Sequence, residues 1–211
     1  MQATGTTSTT HPQFVKRADA VSLWLFIAAG AAIAVWVTWS AVARIIDVLP
    51  NHDVAVLAVF AGTPAEAPIG PGGEPVTVAL EEAVLTVPEL PIASLWAIVI
   101  QQAVLVVTVV TVVTVLIWLS RNLARGVAFS RTNTALVATA GIVGLLGYVA
   151  VPFFGNMAAN GGFAAISDRT FDNVIMSVDP FSLVLAAFVV AMMSTVFSIG
   201  ERLQRDTEGL V

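Results

Sequence analysis

The sequence predicts an all-α membrane protein: a four-helix transmembrane bundle with a small β-rich loop between helices 1 and 2. Apolar residues make up 57% of the 211 residues and charged residues only 11%, whereas about a quarter of a soluble domain is charged. Four apolar stretches each reach the roughly 20 residues that a helix needs to cross a bilayer. None of them alternates apolar and polar residues as the strands of a membrane barrel do. We therefore expect helical spans over residues 21–46, 94–119, 135–157 and 181–199.

The distribution of charge predicts the orientation of these spans. Seven of the nine Lys and Arg residues precede span one, lie between spans two and three, or follow span four. Only Arg44 and Arg169 lie on the opposite side, together with ten of the fourteen acidic residues. Because basic residues mark the cytoplasmic side of a span, both termini are expected to be cytoplasmic. The chain is then a multi-pass protein of the bacterial inner membrane, with the lipid bilayer as its first partner.

The segments outside the spans are short. Residues 1–20 are predicted to form a disordered cytoplasmic tail, and residues 200–211 form a second cytoplasmic tail. The membrane domain, residues 21–199, contains an extracytoplasmic loop at residues 47–93. Four spans and one modest loop leave no room for a separate catalytic domain.

The extracytoplasmic loop has the composition of a small sheet. Val54–Phe60 and Val76–Val87 are rich in β-branched and apolar residues, and Gly/Pro segments at 62–64 and 70–73 separate them. This order predicts strand–turn–strand. Two strands alone are marginally stable, so we expect them to pack on the outer helix ends. A mostly flexible loop is the alternative, because the Pro and Gly content is high.

Small residues mark the helix interfaces. The first span has a patch of alanines around Gly30, and the third has glycines at 141, 144 and 147, which allow close helix approach. Pro152 is predicted to kink or end the third helix near its outer side. The stretch Asn160–Gly162 is then expected to open a short outer loop.

The composition argues against an enzyme. The chain contains no cysteine, which excludes disulfides, thiolate metal sites and thiol redox relays. It has no His-Glu-x-x-His zinc motif, nucleophile elbow or phosphate-binding glycine loop. A net charge of −5 also argues against direct nucleic-acid binding. We expect no catalytic residues, cofactor or metal.

Polar side chains near the outer ends of the spans form the first candidate site. No Asp, Glu, Lys or Arg lies near the centre of a span, and the deepest strong polar groups are amides. The candidate outer-leaflet pocket consists of Arg44, Gln101, Gln102 and Asn156. Two interpretations stay open: hydrogen bonds between helices, or a pocket for an anionic headgroup or a peptide carboxylate.

The loop between spans two and three is the second candidate site. Arg121 and Arg125 fall in the last turn of a helix, and Gly126 suits the left-handed position after it. Ser130 is a good N-cap for the next helix, with Phe129 placed to pack against that helix's start. Together with Asn133, these residues form either a tight hairpin anchored to anionic lipid or a docking site for a cytoplasmic partner.

The tail after span four extends this candidate docking site. Leu203 is an isolated apolar residue in a charged segment that also contains Asp206, and the chain ends in Leu210-Val211. The last two residues either pack beneath the bundle or serve as a docking element.

The two cytoplasmic segments resemble a known family. Their pattern is Arg125-Gly126-x-x-Phe129-Ser130-x-x-Asn133, then Phe197-x-x-Gly200-x-x-Leu203-x-x-Asp206, and finally Leu210-Val211. It is similar to that of small bacterial four-span membrane proteins catalogued only as a domain of unknown function, over roughly Val21 to Val211. Members of that family are often encoded beside a Cro/repressor-type helix-turn-helix regulator. The resemblance implies a membrane partner for a transcription factor and no established activity.

These observations predict a non-enzymatic sensor or regulatory partner of a cytoplasmic transcription factor. The outer loop or pocket would respond to an envelope signal, and the helices would change how the cytoplasmic segments hold the partner. Two alternatives stay open. One is a small transporter or channel component, as a single chain or a homo-oligomer, for an apolar or lipid-like solute. The other is an accessory subunit of a membrane complex.

Overall fold

The computed structural model describes residues 12–208 except 172, 174, 176 and 177, and the side chains of those between 21 and 206. Its helices and strands follow in the order α1 (Pro12–Val48), β1 (Val54–Ala67), β2 (Val76–Val87), α2 (Ile92–Ala124), α3 (Arg131–Ile166) and α4 (Pro180–Glu208). All four helices are long and apolar enough to cross a membrane, as expected of a multi-pass membrane protein. Helix α1 begins at Pro12, inside the segment predicted as a tail. Residues 1–11 of that tail lie outside the described residues.

The helices pack in chain order. α1 packs on α2, α2 on α3, and α3 on α4. Among the described residues, α1 and α4 share no extensive contact, so the row of helices is open between its first and last members. Small residues mediate these contacts as predicted: a Cβ atom on Gly30 of α1 would lie 2.9 Å from Cγ1 of Val113 in α2. In the same way Gly141 of α3 lies against Val190 of α4.

The contact between α2 and α3 follows a seven-residue repeat. The residues of α2 that face α3 include Ser94, Gln101, Thr108 and Asn122; the buried Val115 occupies the remaining position of the repeat. Their partners on the antiparallel α3 are, in order, Gly161, Gly155, Gly147 and, at the far end, Asn133. Side chains seven apart lie on one line of a helix that packs against another as in a coiled coil. We call this row of contacts the α2–α3 seam, and it holds α2 and α3 in register.

Helix α3 does not end at Pro152, and the expected loop at Asn160–Gly162 is wrong. The helix continues to Ile166 with Pro152 inside it. A proline removes one backbone hydrogen bond, but contacts on both sides hold the following turns. Gly161 lies against Ser94 of α2, and a Cβ atom on Gly162 would lie 3.1 Å from Cγ2 of Val87 in β2.

The loop between α1 and α2 folds as an antiparallel hairpin, which confirms the predicted strand–turn–strand. Its pairing runs from Val54 opposite Val87 to Ala67 opposite Val76, with a bulge between Val59 and Thr63. The bulge lets β1 continue through the Gly-Thr-Pro segment that we expected to interrupt it. The hairpin packs on the end of α3, as predicted, and the buried members of this shared core include Val54, Val56, Ala58, Val87, Ala158, Ala159 and Phe163.

Replacing Gly161 by alanine tests the α2–α3 seam. A Cβ atom there would lie 2.6 Å from Cβ of Ser94, so the helices must separate. We expect the free energy of unfolding to fall by about 1–3 kcal/mol, measured by titrating the purified protein with sodium dodecyl sulfate. Gly144→Ala is the matched control, because nothing lies within 4 Å of its Cβ position. That change should be neutral or stabilise by up to about 1 kcal/mol. If both changes lowered the free energy of unfolding equally, the close contact of α2 and α3 at Gly161 would be contradicted.

Candidate functional site

A cavity of about 530 Å³ lies where the hairpin meets the helices, which we call the hairpin end. The opposite end, next to residues 125–130, is the loop end. The cavity has walls from β1, α2 and α3, from Arg44 near the end of α1, and from the residues that lead into α4. The chain segments that build it are therefore far apart in sequence, and all four helices border it.

Arg44 is fixed at the rim of the cavity. Its guanidinium donates a hydrogen bond to Oδ2 of Asp47 at 2.8 Å and another to the carbonyl of Ala55 in β1. The second bond ties α1 to the hairpin. The side chain is 30% exposed, and a guanidinium has five N–H donors, so donors are left for a ligand in the cavity.

Two amide side chains lie at the floor of the cavity. Nε2 of Gln101 donates to the carbonyl of Val151 at 3.1 Å, and Gly155 leaves room for this crossing because its Cβ position lies 2.5 Å from that nitrogen. The amide of Asn156 also lines the cavity and makes no hydrogen bond within the described part of the chain. An amide without a partner at a cavity wall can bind a ligand.

Gln102 does not line this cavity. It precedes Val113 by eleven residues, which is about three full turns, so the two side chains lie on the same face of α2. Val113 contacts Gly30 of α1. Gln102 therefore lies on the face of α2 that points toward α1. The structure thus brings together Arg44, Gln101 and Asn156 of the predicted pocket and leaves the fourth residue apart.

Asp179 is a cavity residue that the sequence analysis did not select. Its carboxylate accepts hydrogen bonds from the backbone N–H of Ser182 at 3.0 Å and of Phe181 at 3.2 Å, and from the Ser182 hydroxyl. The Ser182 hydroxyl is the main cause that lowers the pKa of Asp179, so the carboxylate is charged at neutral pH. The order Asp-Pro-x-Ser at the start of an apolar run is a helix-cap signal, and it could have identified this residue.

The remaining walls are apolar, so the cavity suits an amphipathic ligand. Ile98, Ala158 and Ala159 are buried and line it together with Val56 of β1. The charged groups Arg44 and Asp179 carry opposite signs. Within the described residues, no group of three or more His, Cys, Asp or Glu side chains is arranged to hold a metal ion.

Two tryptophans indicate the depth of the cavity in a membrane. Trp96 and Trp118 are exposed and lie 22 residues apart on α2, which is roughly 33 Å along a helix. This matches a hydrocarbon core of about 30 Å with an aromatic residue at each interface. Gln101 lies five residues inside Trp96, at a depth of about 8 Å. With Trp96 at an interface, the floor of the cavity would lie inside the leaflet at the hairpin end.

At the loop end, the predicted helix-terminal signals have the expected geometry. Gly126 has a φ of 81°, the left-handed conformation that follows α2. The Ser130 hydroxyl accepts a hydrogen bond from the backbone N–H of Asn133 at 3.2 Å and caps α3. Arg121 and Arg125 are exposed at the end of α2, where cations complement the helix dipole.

The side chain of Asn133 stabilises the loop between α2 and α3 and is not exposed. Its side chain is fully buried. Nδ2 donates to the carbonyls of Val127 at 2.7 Å and Ala128 at 3.0 Å, and Oδ1 accepts from Nδ2 of Asn122 at 2.7 Å. The side chain therefore holds the loop between α2 and α3 closed, and a partner reaches it only if the loop opens.

Phe129 packs on α4. Its ring centroid lies 5.7 Å from that of Phe197. A Cβ atom on Gly200 would lie 2.6 Å from the ring carbon Cε1 of Phe129, so the glycine forms a notch for the ring. The inner-loop segment and the α4 segment, which together carry the resemblance to the family, are thus in contact.

A polar contact accompanies this packing. The Thr134 hydroxyl of α3 donates to Oε2 of Glu201 in α4 at 3.0 Å, and Arg205 bonds the other oxygen of that carboxylate at 2.6 Å. Leu203 is 61% exposed, and Asp206 is exposed as well. Leu210 and Val211, the last residues of the candidate docking site, lie outside the described residues.

Comparison with known proteins gives no match: no family model, no curated protein and no solved structure is significantly similar to the chain.

Replacing Asn133 by leucine tests whether its side chain stabilises the loop between α2 and α3. The change leaves the carbonyls of Val127 and Ala128 and the amide of Asn122 without their partner. Since an unsatisfied buried polar group costs about 1–3 kcal/mol, the free energy of unfolding should fall by at least that amount. Asn160→Leu is the control, because Asn160 is an exposed residue of the same helix. An unchanged stability of the Asn133 variant would refute the assignment.

Proposed function

We propose that the protein is a non-enzymatic membrane sensor that binds an amphipathic ligand at the hairpin end and reports its presence at the loop end. The observation that supports this most directly is the cavity bordered by all four helices. A ligand in this cavity would contact all four helices, which otherwise pack on one another only in neighbouring pairs as far as extensive contacts of the described residues go. Binding can therefore change how these elements lie relative to one another, if the ligand favours one arrangement.

Helix α3 connects the cavity with the loop end. Gly155 and Asn156 line the cavity on this helix. At its other end, Ser130 caps the helix and the first turn carries Asn133 and Thr134. Through Thr134 and the neighbouring loop, α3 holds the end of α4. A shift of α4 along α3 would therefore expose or cover the surface around Leu203.

The partner that we propose is a cytoplasmic helix-turn-helix transcription factor of the bacterial cell. This part of the proposal rests on the family resemblance and on the orientation that the basic residues favour. Arg121 and Arg125 at the loop end would then face the cytoplasm, and the acidic hairpin end would face the envelope.

Single cysteines test the orientation, because the chain has no cysteine of its own. Thr77 of β2 and Thr132 at the start of α3 are both exposed. A membrane-impermeant maleimide should label Thr77→Cys in intact spheroplasts, and Thr132→Cys only after lysis. The reverse pattern would overturn the N-in, C-in orientation. Equal labelling in lysed samples serves as the control for reactivity.

A pull-down from native membranes tests the regulatory function. The full chain with an N-terminal tag should recover a DNA-binding protein, identified by mass spectrometry. Leu203→Ala should lower the recovery several-fold, because the exposed leucine is removed from the proposed contact. Val184→Ala, an equally exposed apolar residue at the other end of α4, is the control and should not change it.

The other outcomes of this pull-down decide between the alternatives. If the chain recovers only other membrane proteins, it is an accessory subunit. If it recovers no partner, the polar floor inside the leaflet favours a carrier of a lipid-like solute. Either result would refute the regulatory function.

A further inference from the structure

The open side of the helix row gives the bilayer access to the cavity. Helix α1 packs only on α2 among the helices, and α4 only on α3, as far as extensive contacts within the described residues go. The cavity is bordered by Arg44 of α1 and by Pro180 at the start of α4. It therefore lies at the end of the gap between these two helices. A molecule dissolved in the leaflet can enter from the side without crossing the hairpin.

The charges at the rim favour a zwitterion over an anion. Arg44 supplies a cation with free N–H donors, and Asp179 supplies an ionised carboxylate at the same cavity. Asp47 already neutralises part of the Arg44 charge. The hairpin end also carries most of the acidic residues of the chain, and this field repels a ligand with a net negative charge.

The deeper wall of the cavity adds one further polar group, the amide of Asn156. Asn156 lines the floor without a hydrogen-bond partner in the described residues, close to the depth of Gln101. Its amide can donate to a carbonyl just below a phosphate at the rim. The volume of about 530 Å³ suits one small-molecule ligand, so it holds a headgroup and glycerol unit while long chains stay in the bilayer.

We infer that the cavity binds one membrane phospholipid with a phosphoethanolamine headgroup. Its phosphate contacts Arg44, its ammonium group contacts Asp179, and its acyl chains leave through the gap between α1 and α4. The inference rests on the proposed function only in taking this cavity as the ligand site. A primary amine is specified because it can donate hydrogen bonds to the carboxylate.

Native mass spectrometry of the purified, delipidated full chain tests this inference. The probes are short-chain phosphatidylethanolamine, phosphatidylcholine and phosphatidylglycerol with identical chains, and glycerophosphoethanolamine without chains. We expect phosphatidylethanolamine to bind about tenfold more tightly than the other two lipids, since each of these lacks one charged hydrogen bond. Equal binding of phosphatidylcholine or phosphatidylglycerol would overturn the headgroup assignment. Equal binding of glycerophosphoethanolamine would show a soluble ligand instead of a lipid.

Three variants connect the binding to the cavity. Asp179→Asn keeps a side chain that caps α4 well and should abolish the preference for phosphatidylethanolamine over phosphatidylglycerol. Asn156→Leu, which keeps the branched shape of the side chain but removes its polar atoms, should weaken binding of all three lipids several-fold. Glu89→Gln removes an exposed acid outside the cavity. It should change neither the headgroup preference nor the affinity for the three lipids. An unaltered preference in Asp179→Asn would overturn the inference.

The result is separable from the proposed sensor function. If no lipid binds but Leu203→Ala still loses a DNA-binding partner, only the ligand assignment fails. If phosphatidylethanolamine binds as expected but no cytoplasmic partner is recovered, the lipid site stands and the sensor function fails.

Discussion

The close approach of α3 to α2 is the constraint on which the hairpin end depends. In lipid, helices gain little from burying apolar surface on each other, so they associate through small residues and hydrogen bonds. Gly161 lies against Ser94, and Gly155 leaves the room in which Gln101 reaches the carbonyl of Val151. The seven-residue repeat of α2 keeps these contacts on one line of the helix. Without this seam, neither the floor of the cavity nor the platform for the hairpin would form.

The hairpin in turn fixes the rim of the cavity. A two-stranded sheet is marginal by itself, but this one shares a core with the end of α3. The rings of Phe60 in β1 and Phe163 in α3 meet edge to face at 5.1 Å. At the base of the hairpin, the amide side chain of Asn51 pairs with both the N–H and the carbonyl of Leu90 at 2.9 Å. The strand that bonds Arg44 is therefore held in place on two sides.

Local signals were readable from the sequence, and contacts between distant segments were not. The spans follow from composition, the strands from β-branched residues, and the Ser130 cap from its own neighbours. By contrast, Pro152 does not end α3 because Val87 and α2, far away in sequence, pack on the following turns. Gln101 and Gln102 differ by one residue but by about 100° around the helix. Only the position of α3 decides which of them reaches the cavity.

Helix α4 is the element that links the two ends. No residue in its most apolar window is buried, and among the helices it packs extensively only on α3 as far as the described residues go. Asp179 caps its first turn at the cavity, and at the loop end it is held by Phe129 in the Gly200 notch and by the bond from Thr134 to Glu201. An interaction at the Asp179 carboxylate and a protein at the far end would therefore act on the same helix. Coupling between sites requires an element with two arrangements that both sites bias, and in the proposed function α4 would be that element.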